Sequence, residues 1–312
     1  MTPKLLKSFL KLAEMGNLSR SAAQLHMTQP ALSRQIQLLE SEVGVRLFER
    51  HGRGVALTEP GRALKARAEK LLREIDEIRR EISASASEPE GEIAVGLPTP
   101  LKAMVAAELV DRLWTAAPKL RLRIFEGTPV QIRDQLNQGT LDVGVLSADE
   151  HGTGLLRVPF VTEKLFVAGA PASGLDISTT FPVENLPGLP LVQASPQNGV
   201  TMILTRHFSK SQRALDLRIE ASSTHLMIAI AATGRCYTVL PYSALAEDIE
   251  QKRICASPLS KLSMHWAMAR RADHRSTVGM GAVVRILHEV AVEKIESGAW
   301  LTARYVSRAA TL

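Results

Sequence analysis

The sequence contains only two cysteines, Cys236 and Cys255, in 312 residues. Two cysteines cannot supply the disulfide framework of a small secreted protein, so we expect a reducing compartment. No uninterrupted apolar run approaches the length needed to span a bilayer, and the first residues, Met-Thr-Pro-Lys-Leu-Leu-Lys, lack an apolar core of signal-peptide length. These absences predict a cytoplasmic protein without a membrane partner.

The sequence also lacks the motifs of common catalytic and metal sites. It contains no Gly-x-Ser-x-Gly, His-Glu-x-x-His or P-loop spacing, and no nucleotide loop of the kind that a fused biotin ligase needs. The eight histidines are scattered along the chain without metal-ligand spacing. We therefore expect no enzyme activity, no resident metal and no cofactor.

Positive charge is present, and it is concentrated near the N-terminus. The formal net charge of the chain is +6. Residues 1–58 hold eight lysines and arginines but only four glutamates and no aspartate. Because net charge alone is weak evidence, its local concentration is the stronger indication that this segment faces an anionic partner such as nucleic acid.

The same segment predicts three helices and a hairpin. Apolar residues at helical spacing predict a helix over residues 4–15, and Asn17 is placed to cap a second over about 18–26. Thr28 as an N-cap, with Pro30 in the first turn, predicts a third helix over about 29–43. Its buried face is predicted to consist of Ala31, Leu32, Ile36, Leu39 and Val43.

The opposite face of the third helix carries side chains that can read DNA. Gln29, Ser33, Arg34 and Gln37 can bond base edges or phosphates, as glutamine does with adenine and arginine with guanine. Two short strands within residues 46–58 enclose a basic Gly-rich tip that includes Arg53, and Arg50 precedes it; both suit phosphate or minor-groove contacts. The alternatives are a solvated surface charge at Arg34 and a plain hairpin turn.

A heptad pattern follows over residues 59–86. Apolar residues alternate steps of four and three at Leu64, Ala68, Leu71, Ile75, Ile78 and Ile82. This pattern is typical of a coiled-coil seam, which needs a partner helix, and therefore predicts a dimerising linker helix between residues 1–58 and 87–312. An amphipathic helix packed on its own domain is the alternative.

Beyond a small, polar linker at residues 83–91, strands alternate with helices. Strands are predicted at 92–96, 121–126 and 141–146, and helices at 101–117 and 129–138, as in parallel βαβ units. Ligands of such sheets bind beyond the carboxyl ends of the strands, near helix N-termini. The candidate contacts at the three strand ends are Thr99 with Pro100, Thr128, and Ser147; for each threonine, a simple helix N-cap is the alternative.

Three segments of the N-terminal region resemble the LysR-type family of bacterial transcriptional regulators. They are Ala-Ala-Gln-Leu-His-Met-Thr-Gln-Pro-Ala-Leu-Ser-Arg-Gln-Ile at 22–36, Leu-Phe-Glu-Arg at 47–50 and Leu-Thr-Glu-Pro-Gly at 57–61. The match is highly specific over residues 1–62 and less dense beyond. It implies a mixed α+β and α/β protein: a winged helix-turn-helix, a long linker helix and a two-lobed effector domain like a periplasmic binding protein. It also implies promoter DNA contacts at Gln29, Pro30, Ser33, Arg34 and Arg53.

The resemblance further implies a homodimer or homotetramer that responds to a small metabolite, with RNA polymerase as a further partner. The first lobe is expected over about 92–163 and 268–300, and the second over about 164–267. Residues 195–201, Ser-Pro-Gln-Asn-Gly-Val-Thr, resemble an anion-facing helix start of the family, so Asn198, Gly199 and Thr201 are candidates. Tyr237 stands where the family has a small residue and is a possible pocket wall. Helix N-termini and hydroxyls suit a carboxylate, sulfonate or phosphate.

Two segments, Leu-Pro-Thr-Pro-Leu at 97–101 and the Ser-Pro-Gln-Asn-Gly start at 195–199, also resemble the branch that contains regulators of aromatic sulfonate and sugar catabolism. Two alternatives remain. A thiol-based redox sensor would use Cys236 and Cys255, which requires an exposed thiol of low pKa; buried structural thiols are favoured. An architectural DNA-binding protein would need no ligand, but more than two hundred residues beyond the linker are excessive for that role.

Overall fold

The computed structural model describes residues 1–51, 54–65, 67–68, 71–72, 75, 89–148, 153–209, 213–274 and 276–306. The chain divides into two units, Met1–Ser87 and Glu88–Leu312. None of the described helices is long and apolar enough to cross a membrane.

The first unit consists of three helices, a hairpin and a helix start, which are α1 (Pro3–Met15), α2 (Leu18–Gln24), α3 (Gln29–Val43), β1 (Phe48–His51), β2 (Gly54–Leu57) and α4, helical over residues 59–65. The side chains of Thr2, Asn17 and Thr28 each accept a hydrogen bond from the N–H of the residue three positions later. These caps satisfy N–H groups that have no partner inside a helix. Gly16 and Gly44, with φ of 61° and 74°, end α1 and α3 in the left-handed conformation that glycine adopts without strain.

The core of the first unit lies between α1, α3 and the hairpin. Leu6, Phe9 and Leu32 are at most 1% exposed, and the ring of Phe9 lies 5.3 Å from that of Phe48. Val55 in β2 donates a backbone hydrogen bond of 2.9 Å to the carbonyl of Gly16, so the hairpin is held against the end of α1.

Three expectations for the first unit need correction or lie outside the described residues. Helix α2 ends at Gln24 rather than 26, because the chain turns at His26, whose φ is 53°. Val43 is 37% exposed rather than buried, since it is the last residue of α3 before Gly44. Of the predicted seam, Ala68 is buried and Leu71 is 38% exposed, and both are helical; Ile78 and Ile82 lie outside the described residues.

The second unit contains nine strands and six α-helices within its described part. The strands are β3 (Gly91–Pro98), β4 (Leu120–Gly127), β5 (Val143–Ser147), β6 (Leu155–Gly169), β7 (Pro190–Gln193), β8 (Asp216–Glu220), β9 (Thr238–Pro241), β10 (Cys255–Arg271) and β11 (Arg304–Tyr305). The helices are α5 (Lys102–Ala116), α6 (Pro129–Gln138), α7 (Gly199–Phe208), α8 (Thr224–Ala231), α9 (Tyr242–Glu250) and α10 (Val278–Glu296).

One sheet of seven strands organises this unit. Its order is β11-β6-β10-β5-β3-β4, and β9 pairs with β6. Strand β3 is parallel to β4 and β5, whereas β10 is antiparallel to β5 and β6. Strands β7 and β8 form a separate parallel pair. The carboxyl ends of β3, β4 and β5 therefore lie at one edge, each followed by a turn or a helix start.

Two long strands connect the two halves of the second unit. Strands β6 and β10, of 15 and 17 residues, pair with each other, with a register shift between Pro258 and Ser263. At one end β10 pairs with β5, and at the other β6 pairs with β9. We call the half with β3–β5, α5, α6 and α10 lobe I and the half with β7–β9 and α7–α9 lobe II. The larger of its two apolar cores, which includes Val95 and Leu240, extends through both lobes, and the smaller one surrounds Ile132 and Leu136.

Candidate DNA-reading surface and ligand cavity

Helix α3 separates an apolar face from a polar one. Leu32, Ile36 and Leu39 are buried, whereas Gln29, Pro30, Arg34 and Gln37 are exposed and Ser33 is half-buried. The polar residues recur at helical spacing, so they form one accessible surface along α3, which is the arrangement that a recognition helix requires. Arg53 and the side chain of Arg50 lie outside what the structure describes; the backbone of Arg50 pairs with Val55 in the hairpin.

Glu40 attaches the hairpin to α3, a role that the sequence did not predict. Its Oε1 accepts hydrogen bonds from the backbone N–H groups of Leu47 at 2.7 Å and Phe48 at 3.1 Å. Leu47 and Phe48 are buried, so these N–H groups have little access to water. Glu40 therefore fixes where the hairpin starts relative to the polar face of α3. The sequence signal was an acidic residue, one of two near the end of a helix that otherwise suits an anionic partner.

We expect Glu40→Ala to reduce the midpoint of thermal unfolding of the first unit and to weaken DNA binding by about three- to tenfold, because a buried donor without an acceptor costs about 1–3 kcal/mol. Glu42→Ala is the matched control, since Glu42 bonds only the exposed N-terminal amine among its described partners. Both can be measured by differential scanning fluorimetry and by fluorescence anisotropy on the protein's own promoter. Equal behaviour of the two variants would contradict the role of Glu40.

A cavity of about 370 Å³ lies between lobes I and II, at the carboxyl ends of the parallel strands. Its volume is within the range of small-molecule sites. Five of the predicted ligand contacts line it, namely Thr99, Pro100, Thr128, Asn198 and Gly199. The other lining residues are Glu126, Gly127, Pro129, Gln131, Ala194, Val200, Ser222, Ser223, Thr224, Met227, Leu240, Pro241, Met264 and Trp266.

Several helices begin at this cavity. The first residues of α6, α7 and α8 line it, as does Pro241, which immediately precedes α9. Because the first N–H groups of a helix lack partners inside it, these ends carry partial positive charge. Such an arrangement favours an anionic ligand group.

Thr128 is the N-cap of α6, which was the alternative to a ligand contact at this position. Its Oγ1 accepts from the N–H of Gln131, and the Gln131 side chain accepts from the N–H of Thr128. A hydroxyl that accepts one hydrogen bond still has a proton to donate. Thr128 can therefore cap α6 and also bond a ligand.

Ser147, another predicted contact, is not among the residues that line the cavity; it lies behind Gly199, and its hydroxyl has no described hydrogen-bond partner. The residue is 1% exposed, and its Oγ has no hydrogen-bond partner among the described residues. A Cβ placed on Gly199 would lie 3.6 Å from this Oγ. Ser147 also pairs with Trp266, another lining residue, across β5 and β10. A buried hydroxyl without a partner is costly, so this position points to a polar ligand group at the Gly199 end of the cavity.

The structure does not place Thr201 and Tyr237 at the cavity. Thr201 is 1% exposed and donates its hydroxyl to the carbonyl of Ala194 at 3.0 Å, which anchors the first turn of α7. The ring of Tyr237 packs over Gly169, where a Cβ would come within 2.8 Å of it, and the residue is held there by backbone bonds to Pro190 and Val192. Neither residue is among those that line the cavity.

Glu163 is a buried carboxyl group that the sequence analysis missed. Its two oxygens accept four hydrogen bonds: from the N–H and hydroxyl of Ser243 at 2.9 and 2.7 Å, and from the indole N–H groups of Trp266 and Trp300 at 2.7 and 2.9 Å. Burial raises the pKa of Glu163, and these donors oppose that effect. Because Trp266 lines the cavity and Ser243 is in the first turn of α9, this carboxyl group fixes part of the cavity wall.

The described residues contain no group of three or more His, Cys, Asp or Glu side chains placed to hold a metal ion. Cys236 is 3% exposed, and burial raises the pKa of its thiol. Cys255 is partly exposed, and its Sγ lies 3.6 Å from the carbonyl oxygen of Pro171.

Comparisons with known proteins agree with this organisation. A family model described as the LysR substrate binding domain matches residues 86–292, and one described as a bacterial regulatory helix-turn-helix protein of the lysR family matches residues 3–62. The HTH-type transcriptional regulator BbuR of Bordetella bronchiseptica is 30% identical over 260 residues, which are 83% of this chain and 80% of that protein. The hydrogen peroxide-inducible genes activator of Dickeya chrysanthemi is 26% identical over 265 residues, 82% of this chain and 84% of that one.

Among solved structures, full-length CbnR complexed with its target DNA matches with a TM-score of 0.69 at 20% identity, over 93% of this chain and 100% of that chain. This likeness shows a shared fold. The names of these relatives do not mention aromatic sulfonate or sugar catabolism, so that finer placement stays a prediction.

Proposed function

The chain belongs to the LysR family of bacterial transcriptional regulators, and on that premise we propose that a small ligand with an anionic group binds between lobes I and II and controls how the protein acts on promoter DNA. The surface of α3 made by Gln29, Pro30, Ser33, Arg34 and Gln37 contacts the major groove. Arg50 and Arg53 of the hairpin add phosphate or minor-groove contacts. The protein acts in the cytoplasm.

The observation that carries the proposal for the ligand is the setting of Ser147. A buried hydroxyl without a described partner adjoins Gly199, the first residue of α7, and both adjoin a cavity at which other helices begin. A carboxylate or sulfonate placed there would accept hydrogen bonds from the hydroxyl and from the N–H groups of the helix start. No lysine, arginine or histidine lines the cavity in the described part of the chain, so the positive potential comes from the backbone.

The assembly is proposed to be a homodimer through α4, and further a homotetramer. The apolar side chain of Leu71, 38% exposed on the predicted seam, supports a partner helix. Two copies would present two α3 surfaces to two half-sites of the operator. RNA polymerase is a further proposed partner at the promoter.

We expect Gly199→Val to weaken ligand binding by about tenfold or more, because adding side-chain volume to a packed site costs about 1–3 kcal/mol. The new Cβ would lie 3.3 Å from Met264 and 3.6 Å from Ser147 Oγ, so the valine methyls would occupy the anionic end of the cavity. Small carboxylates, sulfonates and phosphates that raise the melting temperature of the full chain would be titrated by calorimetry against both proteins.

The matched control is Gly281→Val, since nothing lies within 4 Å of a Cβ at this exposed position in α10. DNA affinity without ligand should be the same for all three proteins. The proposal fails when only neutral or cationic compounds bind, or when Gly199→Val binds the anions as tightly as the wild type.

Redox sensing through Cys236 and Cys255 is the second candidate, and a relative named for hydrogen peroxide induction gives it some support. The thiols themselves support it less. A peroxide sensor needs an accessible thiolate, whereas Cys236 is buried with a raised pKa. The ligand cavity therefore remains the better supported route of control.

A further inference from the structure

The charges of the cavity wall restrict the class of ligand further than the requirement for an anionic group does. Among the described residues that line the cavity, Glu126 is the only one with a charged side chain. The other polar lining residues are neutral, and the positive potential comes from helix starts. The cavity therefore presents one negative side chain to a ligand whose anionic group is held by uncharged donors.

Glu126 lies near the carboxyl end of β4, directly before Gly127 and the cap Thr128. Its described ionic partner is Lys102, in the first turn of α5, whose Nζ lies 3.2 and 3.5 Å from the two carboxylate oxygens. Both side chains are about half exposed, at 45% and 56%. Exposed ion pairs of this kind hold weakly, so a ligand ammonium group can take the place of the lysine.

Once Lys102 is displaced, the Glu126 carboxylate repels an anionic group and attracts an ammonium group, so a zwitterion would be attracted at both ends of the cavity. Resting on the proposed function, we propose that the effector is a small zwitterion of the α-amino acid class. Its carboxylate lies at Ser147 and the start of α7, and its ammonium group lies at Glu126. Met227, Leu240, Met264 and Trp266 supply an apolar wall, so an apolar side chain is favoured.

The test uses the full chain and three compounds that differ in one group. L-Leucine carries both charges, 4-methylpentanoate lacks the ammonium group, and L-leucinamide lacks the carboxylate; L-methionine and L-phenylalanine with their matched analogues extend the series. Binding is measured by calorimetry after a thermal-shift survey of the standard amino acids. We expect an amino acid to bind at least about tenfold more tightly than either of its analogues, because each analogue lacks one charged contact with the cavity.

The variant that tests the assignment is Glu126→Gln. It should weaken amino acid binding by about tenfold and leave the deaminated carboxylate unchanged or bound more tightly. Glu184→Gln is the matched control, because Glu184 also forms an exposed ion pair, with Lys261 at 2.5 Å, and does not line the cavity. This control should bind like the wild type.

The outcomes separate the inference from the proposed function. Two outcomes would overturn the zwitterion and leave the anion-binding cavity intact, each combined with no effect of Glu126→Gln. The first is a preference for simple carboxylates. The second is a preference for dicarboxylates whose affinity falls in Lys102→Met. Binding of no amino acid overturns it as well. Amino acid binding that Gly199→Val leaves unchanged would count against the cavity itself.

Discussion

Replacing Ser33 and Arg34 together by alanine is expected to lower the affinity for the protein's own promoter by about a hundredfold, since a well-formed base contact is worth about 1–3 kcal/mol. Arg34 is exposed and Ser33 is half-buried on the polar face of α3, while the neighbouring Leu32 is buried in the core on the other face. The substitutions therefore remove groups that face outward and leave the packing of the helix unchanged. Fluorescence anisotropy at about 0.15 M salt is the measurement, because affinity for DNA depends steeply on salt.

Arg34→Lys distinguishes base reading from simple charge. Lysine keeps the positive charge but not the planar fork of guanidinium, so a bidentate contact with guanine would lose affinity for the promoter more than for unrelated DNA. Lys11→Ala serves as a control for net charge, because Lys11 pairs with Glu14 on α1. Wild-type affinity in the double alanine variant would refute the assignment of α3 as the recognition helix.

Elements whose sequence signals lie next to their own ends were predicted accurately. Helix α3 begins after Thr28 and ends before Gly44, and α6 begins after Thr128 and ends before Gly139. In both cases the cap, the proline in the first turn and the left-handed glycine lie within a few residues of the element that they bound. Local chemistry was sufficient to define these helices.

Elements that depend on distant pairing were predicted only in part. Strand β6 runs from Leu155 to Gly169, whereas its first ten residues were not expected to be strand. They are extended because they pair with β10, about a hundred residues away. Helix α9 and strand β8 were also missed, and the position of Tyr237 follows from a bridge to Leu191. Tertiary contacts decide such segments more than their own composition does.

The candidate ligand contacts divide in the same way, into those that the nearby sequence predicts and those that depend on distant contacts. Thr99 and Thr128 were predicted because strand ends and helix starts can be located from local patterns, whereas Gly199 was predicted from the resemblance to the family. Glu126 was missed, because a lone glutamate at the end of an alternating strand has the composition of an exposed edge. Only the topology, which brings the end of β4 to the same edge as α7 and α8, places its carboxylate at the cavity.

The carboxyl group of Glu163 could not have been predicted from its neighbours, since Trp266 and Trp300 are 103 and 137 residues away. We expect Glu163→Ala to lower the free energy of unfolding of the second unit by about 3 kcal/mol or more, because several buried donors lose their acceptor at once. All three tryptophans, Trp114, Trp266 and Trp300, belong to this unit. Urea denaturation followed by tryptophan fluorescence therefore reports on it alone, and Glu184→Ala, at an exposed ion pair, is the control.

The pH dependence of this loss distinguishes the carboxyl group from a merely space-filling residue. Burial raises the pKa of Glu163 above its ordinary value of 4.5, so the native state binds this proton more tightly than the unfolded state does. Its contribution to stability is therefore complete below pH 4.5 and diminishes as the pH rises through the raised pKa.

Glu163→Gln cannot ionise, and its amide nitrogen faces donors in place of one oxygen. We expect the stability difference between wild type and Glu163→Gln to be largest at low pH and to shrink as the pH rises. A difference that is constant with pH would show that folding does not change the pKa of Glu163.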